Sequence, residues 1–423
     1  MSLVRDFALA FFSWTVLIMT TAKGKVTAAV QARQDPSTWR GNRSLRGRHP
    51  SQRLMTMGGL AAVVLGSQAL AASSPQASAV RLLLPSEGVL AGLGDGLRRG
   101  YGLAMDQSRA CGIRPPSLQL GWLPPGSDPR ASLGASPRSQ LVIAPPAAPL
   151  RGYGLLAGQQ HLNVLRPLQR GLSLEGLPQH QGADRLWPVG PARSQMSDRL
   201  AKGLVDQNLG KVLVVRDASA EAKAMADRFI ASLGTEQGQL VGFGDGANPV
   251  DGNDKAAVEQ LVRDVGWYAP KSLAVFTQPG SRLARAIQNT PWPPDLVLAW
   301  PFPVTNSLAQ RQIGVDPLSR GEGWPAFARA FTQRWGYAPG VVETAGYDTG
   351  VLTALASVSS QGRPGWNLAW FRTTAKPQPL CQALQHRSQG GGVRPQGAGS
   401  RLDLGPAAPP TAALRLSQAG PKP

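Results

Sequence analysis

The feature that most constrains this chain is a regular alternation of amphipathic and short apolar segments between residues 194 and 299. The amphipathic segments are 194–209, 220–233, 254–265 (with Asn253 as its expected cap) and 281–288, and the apolar runs are 211–215, 239–243, 272–276 and 295–299. Short apolar runs between amphipathic helices are typical of buried parallel strands. Four consecutive helix–strand pairs predict a doubly wound α/β lobe.

A second set of strands and helices precedes this lobe. Strands are predicted at 80–84, 118–123, 140–143 and 162–165. In the helix after the first strand, one face carries Leu93, Leu97, Tyr101, Ala104 and Met105. Its glycines weaken the helix, so their presence predicts that it lies close against a sheet.

Two more helices follow the regular region, and the composition then changes. Phe327, Phe331 and Trp335 recur every four residues before the stop signals Gly336 and Pro339. Beyond residue 360 the chain is rich in Gly, Pro and Gln. The predicted organisation is an N-terminal extension with a signal (1–72), lobe 1 (79–190), lobe 2 (191–300), a return to lobe 1 (301–360) and a tail with short strands near the hinge (361–423).

Residues 53–71 have the pattern of a secretory signal peptide. A basic Arg53 precedes the apolar run 58–65, and Ala69-Leu70-Ala71 provides small residues at the spacing that signal peptidase requires. Because the signal begins after residue 50, we hypothesise that translation starts at Met55 or Met57. In the alternative, 7–19 is the signal and the second run is a buried helix. Both predict a periplasmic protein.

The charge balance suggests an anionic neighbour. The chain has 44 Lys+Arg against 25 Asp+Glu, a formal charge of +19. A membrane surface or an acidic polymer would fit this charge, and so would an ordinary basic, soluble surface. Nucleic acid is disfavoured because no Lys/Arg block is interleaved with aromatic residues.

The sequence lacks the motifs of common catalytic and metal sites. The four histidines (His49, His161, His180 and His386) are far apart, which argues against zinc. Gly92, Gly94, Gly96 and Gly100 do not have the G-x-G-x-x-G spacing, and no G-x-S-x-G or Walker motif is present. We therefore predict a protein that is not an enzyme and has no cofactor. Cys111 and Cys381 are the only cysteines, and a disulfide or two free thiols remain open.

Five segments resemble motifs of one family in the family's order. They are the strand-end loop 84–94, the helix start 96–104, Trp187–Gly190 with Ser194–Met196, the helices at 327–339 and Tyr347-Asp348, and Leu402–Gly405. Over residues 79–416 the chain resembles the type I periplasmic binding proteins, a family that includes the leucine/isoleucine/valine receptors of ABC transporters. The resemblance implies two hinged Rossmann-like lobes that close on a ligand. It also implies a monomer that captures an amino-acid-like or related small molecule for the transporter's membrane subunits.

Two departures from the family bear on the ligand. The third-strand loop usually carries Ser or Thr, whereas here it reads Ala144–Pro149 and offers no hydroxyl and few N–H groups. Where the family often has Tyr-Gly in lobe 2, this chain has Glu221-Ala222. Both changes argue against an ordinary amino acid.

Six residues at or near strand ends are the candidate ligand contacts. They are Ser86 and Glu87 from lobe 1, and Gln195, Glu221, Gln278 and Trp300 from lobe 2 or the crossings. Polar groups would orient the ligand and Trp300 would stack on its apolar part. Three of them also have a structural interpretation: a turn for Ser86, the helix dipole for Glu221 and hinge packing for Trp300.

The alternative function is regulatory. Relatives of the family bind proteins such as cell-wall synthases. The basic charge and the altered third-strand loop would suit a protein of this kind with a degenerate ligand cleft. An exported hydrolase on the same scaffold has no motif in its favour.

Overall fold

The structure is a computed structural model that describes residues 80–124, 127–129, 133, 140–146, 150–168, 181–244, 246–304, 310–360 and 363–420. The predicted export signal and loop residues Ala147–Pro149 lie outside these ranges. Within them, no helix is both long and apolar enough to cross a membrane.

The first lobe has a five-stranded, wholly parallel sheet. Its elements are β1 (Val80–Pro85), α1 (Gly88–Ala110), β2 (Leu118–Leu123), β3 (Leu141–Ile143), α2 (Leu150–Gln160), β4 (Asn163–Arg166), the 3₁₀ helix Ala183–Arg185 and β5 (Leu186–Pro188). The strands lie in the order β2-β1-β3-β4-β5. All four predicted strands are present, and β5 is an addition.

The second lobe repeats the arrangement. Its elements are α3 (Ser194–Asp206), β6 (Lys211–Arg216), α4 (Ala220–Thr235), β7 (Gln239–Val241), β8 (Asn248–Pro249), α5 (Lys255–Tyr268), β9 (Ser272–Phe276), α6 (Arg282–Asn289), β10 (Val297–Trp300) and β11 (Gln312–Asp316). The four predicted helix–strand pairs are confirmed. The cap of α5 is Asp254 rather than Asn253, because the Asp254 carboxylate accepts from the N–H groups of Ala256 and Ala257.

The chain then returns to the first lobe and ends in the second. The elements are α7 (Trp324–Trp335), α8 (Val341–Ser357), β12 (Ser359–Ser360), β13 (Arg363–Pro364), β14 (Pro377–Gln378), α9 (Leu380–Ser388), β15 (Arg394–Pro395) and β16 (Arg415–Ala419). The second sheet has the order β16-β11-β10-β9-β6-β7, with β16 antiparallel to β11. Since β11 belongs to this sheet, the return begins after Asp316 and not at residue 301.

Each sheet is covered on both faces, which explains why its central strands are apolar throughout. In β1, Leu82 and Leu84 face α1, α7 and α8, whereas Leu83 faces α2. In β6, Val212 and Val214 face α3 and α4, and Leu213 and Val215 face α5 and α6. This is the packing expected of parallel sheets.

Gly96 and Gly100 of α1 allow a close approach to another helix, α8, rather than to the sheet that the sequence suggested, whereas Gly94 lies against β1. A Cβ at Gly100 would overlap the backbone carbonyl of Glu343 in α8. The position admits no side chain unless the two helices separate. Gly102, two residues further along α1, differs: no heavy atom outside the helix backbone lies within 4 Å of the position that its Cβ would occupy.

We therefore expect Gly100→Ala and Gly102→Ala to have opposite effects. Overpacking at Gly100 should destabilise by about 1–3 kcal/mol, partly offset by helix propensity. Gly102→Ala should stabilise by up to about 1 kcal/mol because only the propensity changes. Thermal unfolding of the two variants tests this, and equal effects would contradict the close helix contact.

Candidate functional site

The carboxyl ends of the parallel strands are the expected binding edge of each lobe. In lobe 1, Ser86 and Glu87 follow β1 and both are exposed. The Ser86 N–H donates to the carbonyl of Leu123 at 2.9 Å, which ties the ends of β1 and β2 together. Glu87 is the N-cap residue of α1, but its side chain does not cap the helix. Both side chains therefore remain available to a ligand.

In lobe 2, a polar network joins the ends of the neighbouring strands β6 and β9. The Asp217 carboxylate accepts from the Ser219 N–H at 2.8 Å and from the Thr277 hydroxyl at 2.6 Å. The Thr277 and Ser281 hydroxyls are 2.8 Å apart. Two strand ends and two loops are thus held in one fixed arrangement.

The same network fixes the N-termini of two helices that follow neighbouring strands and lie on opposite faces of the sheet. Ser219 Oγ accepts from Ala222 N–H at the start of α4, and Ser281 Oγ accepts from Ala284 N–H at the start of α6. Helix N-termini favour negative or electron-rich groups, whereas the Asp217 carboxylate opposes a full negative charge. The arrangement suits a polar, hydrogen-bonding ligand group better than a free anion.

Glu221 and Gln278 both lie at this edge of lobe 2. The Glu221 carboxylate forms an ion pair with Arg193 of the first crossing between the lobes. Gln278 is half-buried in the turn between β9 and α6, and its carbonyl accepts from the Ser281 N–H at 3.1 Å. The structure thus places these two residues on lobe 2, and Ser86 and Glu87 on lobe 1.

Gln195 lies at the hinge and not at a strand end. Its side-chain amide donates to the carbonyl of Pro410 at 2.9 Å and accepts from the N–H of Ala412 at 2.6 Å. Ser319 likewise accepts from the N–H of Ala413 at 2.8 Å. The crossings at 190–195, 317–323 and 405–413 are therefore hydrogen-bonded to one another, and Gln195 fastens the first to the third.

Trp300 does not reach a cleft, so the interpretation that it stacks on a ligand is wrong. Its side chain is 0% exposed within the core of lobe 2. The indole N–H donates to Gln312 Oε1 at 2.8 Å, and the ring lies 5.1 Å from that of Phe302. Trp300 is the last residue of β10, and alternation turns its side chain toward α5 and α6.

A shallow recess lies where the three crossings leave lobe 1. Its walls are mainly apolar and include Leu168, Val189, Pro191, Leu318 and Val341. Asp348 of α8 also lines it, although the residue is only 1% exposed. Its carboxylate accepts from the N–H groups of Ala398 at 2.6 Å and Gly399 at 2.9 Å, and so holds the segment before the third crossing.

Burial raises the pKa of Asp348 to about 7, with the two backbone N–H groups acting in the opposite direction and Glu322 adding to the rise. Between pH 4 and pH 7 the folded protein therefore holds a proton that the unfolded chain has lost. Stability should fall as pH rises through this window, by at most about 1.4 kcal/mol per pH unit, and level off above it.

Asp348→Asn should remove this contribution, which urea unfolding at pH 5, 6, 7 and 8 would measure. Asp403→Asn is the matched control. Asp403 also accepts a backbone N–H, from Thr411 at 2.7 Å, but is only half-buried. A pH slope lost in the control and kept in Asp348→Asn would contradict the assignment.

Asp217, Thr277 and Ser281 belong to the candidate site, and sequence reasoning missed them. Each follows an apolar strand that was predicted, at 211–215 or 272–276, and Ser281 begins a predicted helix. Small polar residues in such positions are a usable signal. In the described residues no group of three or more His, Cys, Asp or Glu could hold a metal ion.

Sequence comparisons find no match: no protein-family model and no curated protein matches the chain. Solved structures do match. A substrate-binding protein of an ABC transporter from Desulfitobacterium hafniense is 14% identical, covers 80% of this chain and 96% of its own, and has a TM-score of 0.54, as does its complex with Leu. A periplasmic ligand-binding protein of a branched-chain amino acid ABC transporter from Burkholderia xenovorans LB400 is 12% identical over 66% of this chain and 77% of its own, with a TM-score of 0.51. At these identities the likeness is one of fold.

Proposed function

We propose that this chain, which has the type I periplasmic binding protein fold, is an exported solute-binding protein that captures a small molecule between its lobes for an ABC transporter. The observation that carries the proposal is the polar edge of lobe 2. There, Asp217, Thr277 and Ser281 fix two helix N-termini at adjacent strand ends. Open sheets of this kind bind ligands outside the carboxyl ends of their strands.

The proposed ligand is amino-acid-like or related, and lobe 2 would hold most of its polar groups. On lobe 1, the residues after β3 begin Ala144-Pro145-Pro146, which offer no hydroxyl and no proline N–H. The Desulfitobacterium hafniense protein binds Leu. A free α-carboxylate of that kind would lack hydroxyl donors at this loop, which favours amides, esters or other uncharged relatives.

A periplasmic location fits the disulfide. Cys111 at the end of α1 is bonded to Cys381 in α9, and their Cα atoms are 5.3 Å apart. Disulfides persist in oxidising compartments such as the bacterial periplasm. We accordingly propose export, a monomeric and non-catalytic protein, and the membrane subunits of an ABC transporter as its partners.

A thermal-shift screen of the purified protein against amino acids, their amides, short peptides, aromatic carboxylates and sugars tests the proposal. A compound present at 100 times its dissociation constant should stabilise the protein by about 2.7 kcal/mol. Gln278→Ala should weaken the shift, because Gln278 lies at the lobe 2 edge. Gln260→Ala is the matched control, since Gln260 is exposed on α5 and its side chain bonds to Arg263 and Asp264 within that helix.

The alternative is a regulatory protein that binds a protein partner through the same fold. The altered loop after β3 and the Glu221–Arg193 ion pair favour it, since both reduce the groups free to hold a small anion. If no compound shifts the unfolding temperature while a protein partner is captured at the lobe edges, the solute-binding proposal fails and this one stands.

A further inference from the structure

The three crossings identify which side of the protein is the hinge. They leave lobe 1 beside β5 and enter lobe 2 beside β11 and β16, where Gln195 and Ser319 bind the third crossing. Strand order then runs from β5 to β2 in lobe 1 and from β11 to β7 in lobe 2. The elements farthest from the hinge are therefore β2 in lobe 1 and, in lobe 2, β7 and the short β8, which both pair with the outer edge of β6. Their carboxyl ends lie at the mouth of the cleft.

Phe243 lies at this mouth on lobe 2. It follows β7 by two residues, and its side chain is 85% exposed. Gly242 and Gly244 on either side have φ values of 130° and 82°, which other residues rarely adopt. This backbone holds an apolar ring in solvent, where it contributes no core packing.

Trp122 lies at the corresponding edge of lobe 1. It is the second-last residue of β2 and is 55% exposed, although Gly121 and Leu123 on either side are buried. Its Cα partner is Leu84 of β1, and β2 has no strand on its outer side in the described sheet. The indole thus lies on the free edge of lobe 1.

We propose that Trp122 and Phe243 meet across the mouth of the cleft when the lobes close, forming an aromatic latch over the bound molecule. The inference rests on the proposed function, because it requires lobes that close. Aromatic pairs prefer edge-to-face or offset contact, and such a pair would favour the closed state roughly two- to tenfold. The pair would also shield the ligand from solvent, and it would do so whatever polar groups the ligand carries.

A third exposed aromatic residue provides the control. Trp267 is 83% exposed, but it lies at the end of α5, just before β9 begins. This is the amino-terminal edge of the sheet, on the side away from the cleft. Trp267 and Phe243 are therefore almost equally exposed, but only Phe243 lies where the latch requires an aromatic side chain.

Cross-linking tests the latch without a known ligand. The full chain carrying Trp122→Cys and Phe243→Cys is treated with a bis-maleimide that has a short, flexible spacer, and the linked peptides are identified by mass spectrometry. The native disulfide does not react and stays intact in every variant. We expect most Trp122→Cys/Phe243→Cys molecules to become linked within one chain, and few Trp122→Cys/Trp267→Cys molecules.

Equal linkage in the two variants, no linkage in the first, or linkage between two chains would each overturn the latch. Such a failure is separable from that of the proposed function. A compound that shifts the unfolding temperature while the first variant stays unlinked would leave solute binding intact and remove only the latch.

Discussion

Replacing Cys111 and Cys381 with serine is expected to lower the free energy of unfolding by about 2–5 kcal/mol. The bond joins residues separated by 270 positions, so it closes a very long loop in the unfolded chain. In the folded protein it fastens α9 of the tail to the end of α1 in lobe 1. The loss should appear in urea unfolding and as a lower unfolding temperature.

Reducing agent provides the control for this prediction. It should destabilise the wild-type protein by a similar amount and leave the Cys111→Ser/Cys381→Ser variant unchanged. A wild-type protein whose free energy of unfolding does not change when its disulfide is fully reduced would contradict a stabilising disulfide.

Trp300→Ala is expected to destabilise lobe 2 by about 3–5 kcal/mol. The substitution leaves a cavity between β10 and the helices α5 and α6, and it removes the indole N–H that donates to the buried side-chain oxygen of Gln312. An unsatisfied buried amide adds to the cost. Chemical unfolding, followed by the fluorescence of the remaining tryptophans, would measure the effect.

Because Trp300 is buried, we expect it to contribute to stability and not to ligand binding, and the two roles can be measured separately. Trp300→Phe should unfold at a lower urea concentration than the wild-type protein. Under conditions in which the variant is folded, it should bind any compound found in the thermal-shift screen with unchanged affinity. Trp267→Ala, at an exposed position, should stay within about 0.5 kcal/mol of wild type. A Trp300→Phe variant of normal stability and weakened binding would contradict the buried assignment.

Periodicity predicted the regular part of the fold and missed the irregular part. Ser272–Phe276 and Leu118–Leu123 have the predicted bounds because apolar and polar residues change sharply at both ends. β11 went unpredicted because a glycine interrupts a run of only five residues. Helix α9 lies in a Gln-rich stretch whose burial depends on the disulfide and on lobe 1, neither of which is visible locally.

The candidate site was harder to predict than the fold because its residues depend on which face a strand end presents. Ser86, Glu87, Glu221 and Gln278 do lie at strand ends, and their ligand roles stay predictions. Trp300 ends a strand as well, but alternation turns it into the core. Gln195 was predicted to lie in lobe 2 or a crossing, and its amide is occupied by the backbone of a segment more than 200 residues later. Such long-range pairing has no local sequence signal.

The last strand has a consequence for the order in which the protein can be completed during synthesis. β16 pairs along the whole of β11, from Gln312 to Asp316, and is contributed by residues 415–419. Until those residues are made, β11 presents an open edge that other chains could join. Lobe 2 therefore cannot seal its own sheet before residues 415–419 have been synthesised, so a product truncated between β11 and β16 should be prone to aggregate even though the other strands of that sheet are present.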